Sequence, residues 1–467
     1  MKAIVLSFDR LALRILGCYG NAWIDTPHFD RLAAEGVVFD AHFGEHFEPA
    51  GHHAWFTGRY QCRPSPNERN ARTGLGEILR RAGVEARLIV EEGADDPCWE
   101  SAGFADVLRV SGRDGLEVDD DETPFAQLVA AAAACLDEWA ERDVETGLLW
   151  LKSRGVPRPW TPPREFAAEY VGLFEDDEDE PGERSGVSPP VIDETDGPAI
   201  PDEAADEDFT EPIDDEPIEE ANAARAAELE QEAEEFDELL RALGRAGEGD
   251  PSRLTPDDWK LARAVYAGYV SLLDTWFGEL REVVAELEED VLWIVTAAQG
   301  ECLGERVGLA AEGTPLSEEW AHLPLIVHLP GGEGGSRRQD LVQTVDLAPT
   351  LCDFFGVATD ALAADGASLL PTVARHEPSI RDAAYLASDG WQGIRTPDLY
   401  LLRRSAADLS TAPPPDDHQR PRLYARPDDV WEIHDVAAQS PADVEELAAR
   451  LDRFFVAEQR PPGERPA

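Results

Sequence analysis

The stretch His42 to Tyr60, HFGEHFEPAGHHAWFTGRY, gathers His42, His46, His52 and His53, four of the chain's ten histidines, with Glu45 and Glu48. Imidazole and carboxylate together suit zinc or manganese, so the four histidines form a candidate metal cluster. Geometry weighs against it. His42 and His46 precede the helix expected over His52 and His53, and the side chains would point in different directions; a histidine bonded to backbone is the commoner outcome. Between Glu45 and Phe56 there is no Ser, Thr or Cys to serve as a nucleophile. Thr57 reads as a packing or capping residue, and Cys62, in CRPSP, reads as part of a proline-rich turn.

Elements must bring such residues together. Ala3 to Phe8 (AIVLSF) is a short apolar run ending in Asp9, as expected of a buried parallel strand that presents a polar residue at its C-terminal end. Similar runs recur at Arg87–Val90, Gly147–Leu151, Val291–Thr296 and Pro324–Leu329, separated by amphipathic helical patterns such as TPHFDRLAAEG and GLGEILRRAG. That alternation predicts an α/β fold, a mostly parallel sheet with helices on both faces and its sites at the strand C-termini. After about Arg381 the pieces AAYLAS, GWQGIRT, LYLLRR and VWEIHDV suggest shorter strands, followed by a helix with Ser440 as N-cap. The expected organisation is a domain over 1–380 and a C-terminal α+β subdomain over 381–467, with a small antiparallel sheet and a terminal helix.

One segment departs from this pattern. Glu175 to Glu220 holds 21 Asp or Glu against one basic residue, Arg184, with seven prolines, so it reads as an acidic disordered insert over 175–221. A solvent-facing helix over 222–244 follows. The insert reads first as a solubilising loop and second as a docking tail for a basic protein. A formal charge of −55 disfavours nucleic acid and anionic membranes as partners. Six scattered cysteines predict reduced, mostly buried thiols. Asp9, Arg10 and Arg14 interrupt the N-terminal apolar run, and no later run is long enough to span a membrane, so the expected location is cytoplasmic.

A series of stretches in consistent order resembles the sulfatase family, within the alkaline-phosphatase-like superfamily. They are LGCYGNAWIDTPHFDRLAAEGVVFDAHF (Leu16 to Phe43), TGRY (Thr57 to Tyr60), ILRRAGVEARLIV, YAGYVSLLDTWFGELREVVAELEE, QGECLGERVGL, LPLIVHLPGG, VDLAPTLCDFFGV, DGASLLP and PDDVWEIHDVAAQSPADVEEL. The resemblance implies an α/β/α sandwich around a mostly parallel sheet, with a small C-terminal subdomain. It also implies sulfate-ester hydrolysis by a formylglycine, made from the cysteine of Cys-x-Pro-Ser-Arg, and assisted by calcium.

Carried over residue by residue, the resemblance implies a degenerate site. The paired metal-ligating aspartates fall on Asp9 and Arg10, the nucleophile cysteine on Glu48 and its motif's arginine on His52. The family's lysine and histidine fall on Glu91 and Gly93, and its second metal-ligand pair on Ala298 and Gln299. Formylglycine cannot arise at Glu48, and most calcium ligands are missing, so neither cofactor is expected. Two carboxylates at Glu48 and Glu91 would each repel a unit anion about 5 Å away by roughly 3 kcal/mol at an effective dielectric near 20. Arg10 is expected to replace the lost cation by pairing with Asp9, and with Glu48 beside it. The expectation is a pseudo-sulfatase with a binding or scaffold role; the alternative is a sulfuric- or phosphoric-ester hydrolase using an altered residue set or the His/Glu metal site.

Overall fold

The computed structural model describes residues 1–45, 51–61, 74–94, 102–171, 238, 255–287, 290–305, 316–362, 364–375, 377, 381–388, 390–405 and 420–457. The expected insert at 175–221, the helix at 222–244 (apart from Glu238), His46, Glu48 and the CRPSP turn lie outside the described residues.

In chain order the elements begin with β1 (Lys2–Arg10), α1 (Pro27–Glu35), β2 (Val37–Phe39), β3 (His42–Phe43), α2 (Gly51–Thr57), α3 (Leu75–Arg81), β4 (Glu85–Glu91) and β5 (Asp106–Val110). Next come α4 (Pro124–Glu141), β6 (Gly147–Gly155), α5 (Arg164–Glu169), α6 (Pro256–Glu286), β7 (Val291–Gln299), α7 (Glu318–Ala321) and β8 (Leu325–His328). Then follow β9 (Ser336–Arg338), β10 (Val342–Gln343), α8 (Leu347–Phe354), α9 (Leu370–Arg375), β11 (Ala384–Ser388), β12 (Trp391–Arg395), β13 (Leu399–Arg404), β14 (Arg422–Ala425) and α10 (Pro441–Ala457).

The large sheet runs β5-β4-β6-β1-β7-β8-β2-β9. It is parallel from β5 to β7, with antiparallel pairing where β8 meets β7 and β2. Its central strands are buried on both faces, which is why they read as continuous apolar runs. Period-two alternation splits their side chains between two cores. Ile4, Leu6, Phe8, Leu149, Leu151 and Val295 pack under α1, α4 and α6. Ala3, Val5, Trp150, Leu292, Ile294 and Ala298 pack under α2, α3 and α8. This is the α/β/α sandwich expected from the sequence.

Capping explains where the longest helix starts. Thr255 accepts from the Asp258 N–H at 3.1 Å while Asp258 accepts from the Thr255 N–H at 2.8 Å, a reciprocal capping box that satisfies two otherwise orphan donors of α6. From the same helix, buried Asp274 accepts from the N–H groups of His28 and Phe29 at 3.1 and 2.8 Å, anchoring the first turn of α1.

The second sheet, β11-β12-β13-β14, is antiparallel throughout. One face carries Leu401 and Leu423 against Leu447, Leu451 and Phe455 of α10, which begins just after Ser440. The expected strand VWEIHDV does not form; Arg422–Ala425 supplies the fourth strand instead. The reason is local. Asp429 accepts from the N–H groups of Ile433 and His434, both at 2.9 Å, and Glu432 adopts φ +54°, so the chain turns where it would have to extend.

Of the cysteines, Cys18, Cys135, Cys302 and Cys352 are free thiols, with Cys135 and Cys352 buried. Among the described residues no helix is long and apolar enough to cross a membrane.

Candidate active-site edge

Asp9 and Arg10 are neighbours at the end of β1 and therefore leave the strand on opposite faces. That geometry overturns the expected Asp9–Arg10 pair. Each residue is neutralised on its own side of the sheet, by partners from different elements.

On the α2 face, Asp9 meets Lys152. Lys152 stands opposite Ser7 in the β1–β6 register, two residues before Asp9, on the side that Val5 and Trp150 share. Its side chain is completely buried, and its Nζ lies 2.9 Å from Asp9 Oδ1. His52 Nε2 approaches the same oxygen at 3.3 Å from the first turn of α2. An aromatic stack fixes that approach. The His52 ring lies on Trp55, 4.9 Å between centroids and 28° between planes, and Trp55 packs 6.1 Å from Trp150. Trp150 in turn donates from Nε1 to Ser7 Oγ at 2.9 Å. Ala298, which packs in the same core, brings no carboxylate to this group.

On the α6 face, Arg10 Nη1 lies 3.8 Å from Glu301 Oε2, and Arg158 bonds the other Glu301 oxygen. Glu301 has a fully buried side chain; burial raises its pKa and the two guanidiniums oppose that rise. Glu91 also belongs to this face, because its strand neighbour Val90 packs under α3 and Ile89 packs with α4. Its Oε2 accepts from the Arg154 backbone N–H at 3.0 Å and from Nε at 3.4 Å. Arg154 continues to Asp114 at 2.8 Å, which accepts from the Tyr269 hydroxyl at 2.8 Å. Burial, partly offset by Arg154, pushes the Glu91 carboxyl up to about 7. Of the two carboxylates expected to repel an anion, Glu48 lies outside the described residues, and Glu91 lies on the face of the sheet opposite Asp9. Gln299 is buried at the end of β7, and its main-chain carbonyl accepts from the Leu11 N–H at 3.1 Å.

The close approach of β6 to β1 fixes this edge. Val156 donates to the Arg10 carbonyl at 3.0 Å, and Gly155 takes φ +70° with no room for a Cβ, which would lie 2.0 Å from that carbonyl oxygen. Beside Glu301 a cavity of about 280 Å³ opens, lined among others by Arg14, Trp23, Glu305, Glu318, His322 and Trp431.

Three of the four clustered histidines, His42, His52 and His53, are described, and each sits in a different setting. His42 is fully buried on β3, and burial lowers its pKa to about 3. His52 is committed to Asp9, and His53 is half-buried on α2. Among the described residues no group of three or more His, Cys, Asp or Glu could hold a metal ion. Buried Glu45 receives the Gln61 N–H at 2.9 and 2.8 Å, and Thr57 donates its hydroxyl to the His53 carbonyl at 2.6 Å. Both are structural bonds. Lys152, Arg154, Arg158 and Glu301 escaped the sequence reading. Lys152 carried a usable signal, since it is one of three lysines against 38 arginines and directly follows the apolar run GLLWL.

The layered sheet with its charged C-terminal edge is the architecture of the alkaline-phosphatase-like superfamily. Solved structures share it. Phosphonate monoester hydrolase of Agrobacterium radiobacter aligns over 98% of this chain and 96% of its own, with a TM-score of 0.67 and 21% identity. A protein solved in complex with its substrate D-glucosamine-2-N,6-O-disulfate aligns over 98% and 99%, with a TM-score of 0.64 and 17% identity. In sequence, the multifunctional alkaline phosphatase superfamily protein PehA of Trinickia caryophylli is 29% identical over 136 residues, 28% of this chain and 26% of that relative, so the match spans about a quarter of its length. The sulfatase family model matches residues 3–357, and the chain belongs to the sulfatase family.

The residues present do not fit the calcium that the family implies. Calcium takes six to eight oxygen ligands. Among the described residues the carboxylate expected to bind it faces an ammonium and an imidazole, and Ala298 offers no side-chain oxygen. A divalent ion about 4 Å from the Lys152 ammonium would be repelled by roughly 8 kcal/mol at an effective dielectric near 20.

Proposed function

We propose that this sulfatase-family chain has lost sulfate-ester hydrolysis by the family's route and serves a binding or scaffold role. The observation that carries the reading is the closure of the edge charges on one another: Arg10 and Arg158 on Glu301, and Arg154 on Glu91 and Asp114. Transition-state stabilisation needs donors aimed at developing negative charge, and a guanidinium already neutralised by a buried carboxylate supplies little of it. Glu48, where the nucleophile belongs, cannot provide formylglycine. Purified protein at high concentration, given aryl sulfate, aryl phosphate and phosphonate monoesters with several divalent ions, should show no turnover above buffer.

A retained ester hydrolase with an altered residue set would rest on Asp9 and His52, the histidine–carboxylate contact at this edge. Turnover abolished by Asp9→Ala or His52→Ala would replace the first reading with this one. For the scaffold role, the 21 acidic residues between Glu175 and Glu220 favour a basic cytoplasmic protein, whose association should slow as ionic strength rises. Association unchanged by salt, or unchanged when the segment's acids are replaced by Asn and Gln, would exclude that partner class.

A further inference from the structure

We infer that the Lys152 ammonium is a built-in replacement for the divalent cation of the family's site, making this fold independent of metal. The inference rests on the reading of the Asp9 edge as a former active site. Three observations converge on it. The lysine side chain is entirely buried, yet its Nζ is 2.9 Å from Asp9 Oδ1, so an ammonium sits where the resemblance implies a metal against that carboxylate. The charge demand has fallen in step: with Ala298 and Arg10 in place of two ligand carboxylates, one positive charge balances the remaining aspartate. Residue type adds a third argument. In a chain with 38 arginines and three lysines, the buried position holds a lysine, whose compact ammonium is closer to a point charge than a planar guanidinium with five donors to satisfy.

The arrangement is also held from outside. His52 reaches the same oxygen at 3.3 Å and is braced by Trp55 and Trp150, so the aspartate is approached by nitrogen groups from β6 and α2. An ammonium has no lone pair with which to ligate a cation. Lys152 thus neutralises Asp9 and at the same time closes the position to metal.

Chemical unfolding of the full chain in chelator, calcium and magnesium tests this, with wild type beside Lys152→Met, Lys152→Ala and the double variant Asp9→Asn/Lys152→Met. Wild type should unfold identically in all three solutions. Lys152→Met leaves a buried carboxylate without its cation and should raise the unfolding constant about 100-fold or more. The double variant removes both charges and should recover much of that loss. In Lys152→Ala, methylammonium should restore stability, because its ammonium can enter the vacated volume, whereas calcium should not, since Asp9 alone does not make a calcium site. Wild type stabilised by calcium or magnesium would overturn the inference. So would a double variant no more stable than Lys152→Met, a comparison that holds even if Lys152→Met alone does not fold. Failure of the functional reading looks different: a metal-indifferent wild type that hydrolyses aryl sulfate would end the claim of lost catalysis and leave the lysine assignment intact.

Discussion

Glu91→Gln should stabilise the protein above neutrality and do almost nothing in mild acid. Glu91 is fully buried, and burial, partly offset by Arg154, moves its carboxyl from an ordinary 4.5 to about 7. Between these values the folded chain holds a proton that the unfolded chain has released, so stability falls as pH rises through this window and levels off above it. The gap corresponds to about 3 kcal/mol, with no large solvent discount because the group is buried. Near pH 5 the folded wild type carries a neutral carboxyl that glutamine closely matches. The amide oxygen can still accept from the Arg154 N–H, and Arg154 keeps its 2.8 Å pair with Asp114. Urea unfolding of both proteins from pH 5 to 8 should therefore show a difference in stability that opens from near zero to as much as about 3 kcal/mol in favour of glutamine. A difference that stays flat, or that favours glutamate as pH rises, would mean that the Arg154 pair outweighs desolvation and that the burial argument is wrong.

Glu318 should behave in the opposite sense. Burial alone would raise its pKa, but Arg395, His322 and Arg426 hold it well below the usual carboxylate range. Its contribution is therefore complete above the ordinary carboxylate value and lost as pH falls through the folded one. Glu318→Ala would remove the carboxylate facing the buried Arg395 guanidinium and one of two carboxylate partners of Arg426, at a cost of about 3–5 kcal/mol measurable by urea unfolding at pH 7. Burial keeps the His42 imidazole neutral, with its pKa near 3, so its ring proton resonances should not titrate between pH 5 and 8. A midpoint near the ordinary histidine value would show that water reaches the ring and would reopen the case for a histidine metal cluster.

The fold was legible because the strands buried on both faces leave apolar runs that no helix period imitates, and because landmarks such as TGRY fix the order of the elements. The geometry of the expected site was not legible in the sequence. Reading DR at positions 9 and 10 as adjacent partners ignored strand alternation, which sends neighbours to opposite faces. Lys152 was hidden for another reason: it lies 143 positions beyond Asp9, and only parallel pairing of β6 with β1 brings the two together. VWEIHDV failed because a side chain overrode an apolar pattern; Asp429 captures the two amides that a strand would have presented to its neighbour.

Alternation also explains why the changes at this edge form two groups. On one face a lysine answers an aspartate; on the other, Glu301 answers Arg10 and Arg158, and Arg154 answers Glu91. A cysteine returned to position 48 would supply a precursor for the family's nucleophile and still leave Asp9 closed by Lys152. Removing Lys152 would free Asp9 and still leave Ala298 without a carboxylate. Recovering a divalent site thus demands coordinated changes on β1, β6 and β7, each of which alone exposes a buried charge or leaves a ligand missing. On the function proposed above, the barrier to hydrolysis is this packed, neutralised edge as much as the glutamate at position 48, and added metal should bring no turnover to the unmodified chain.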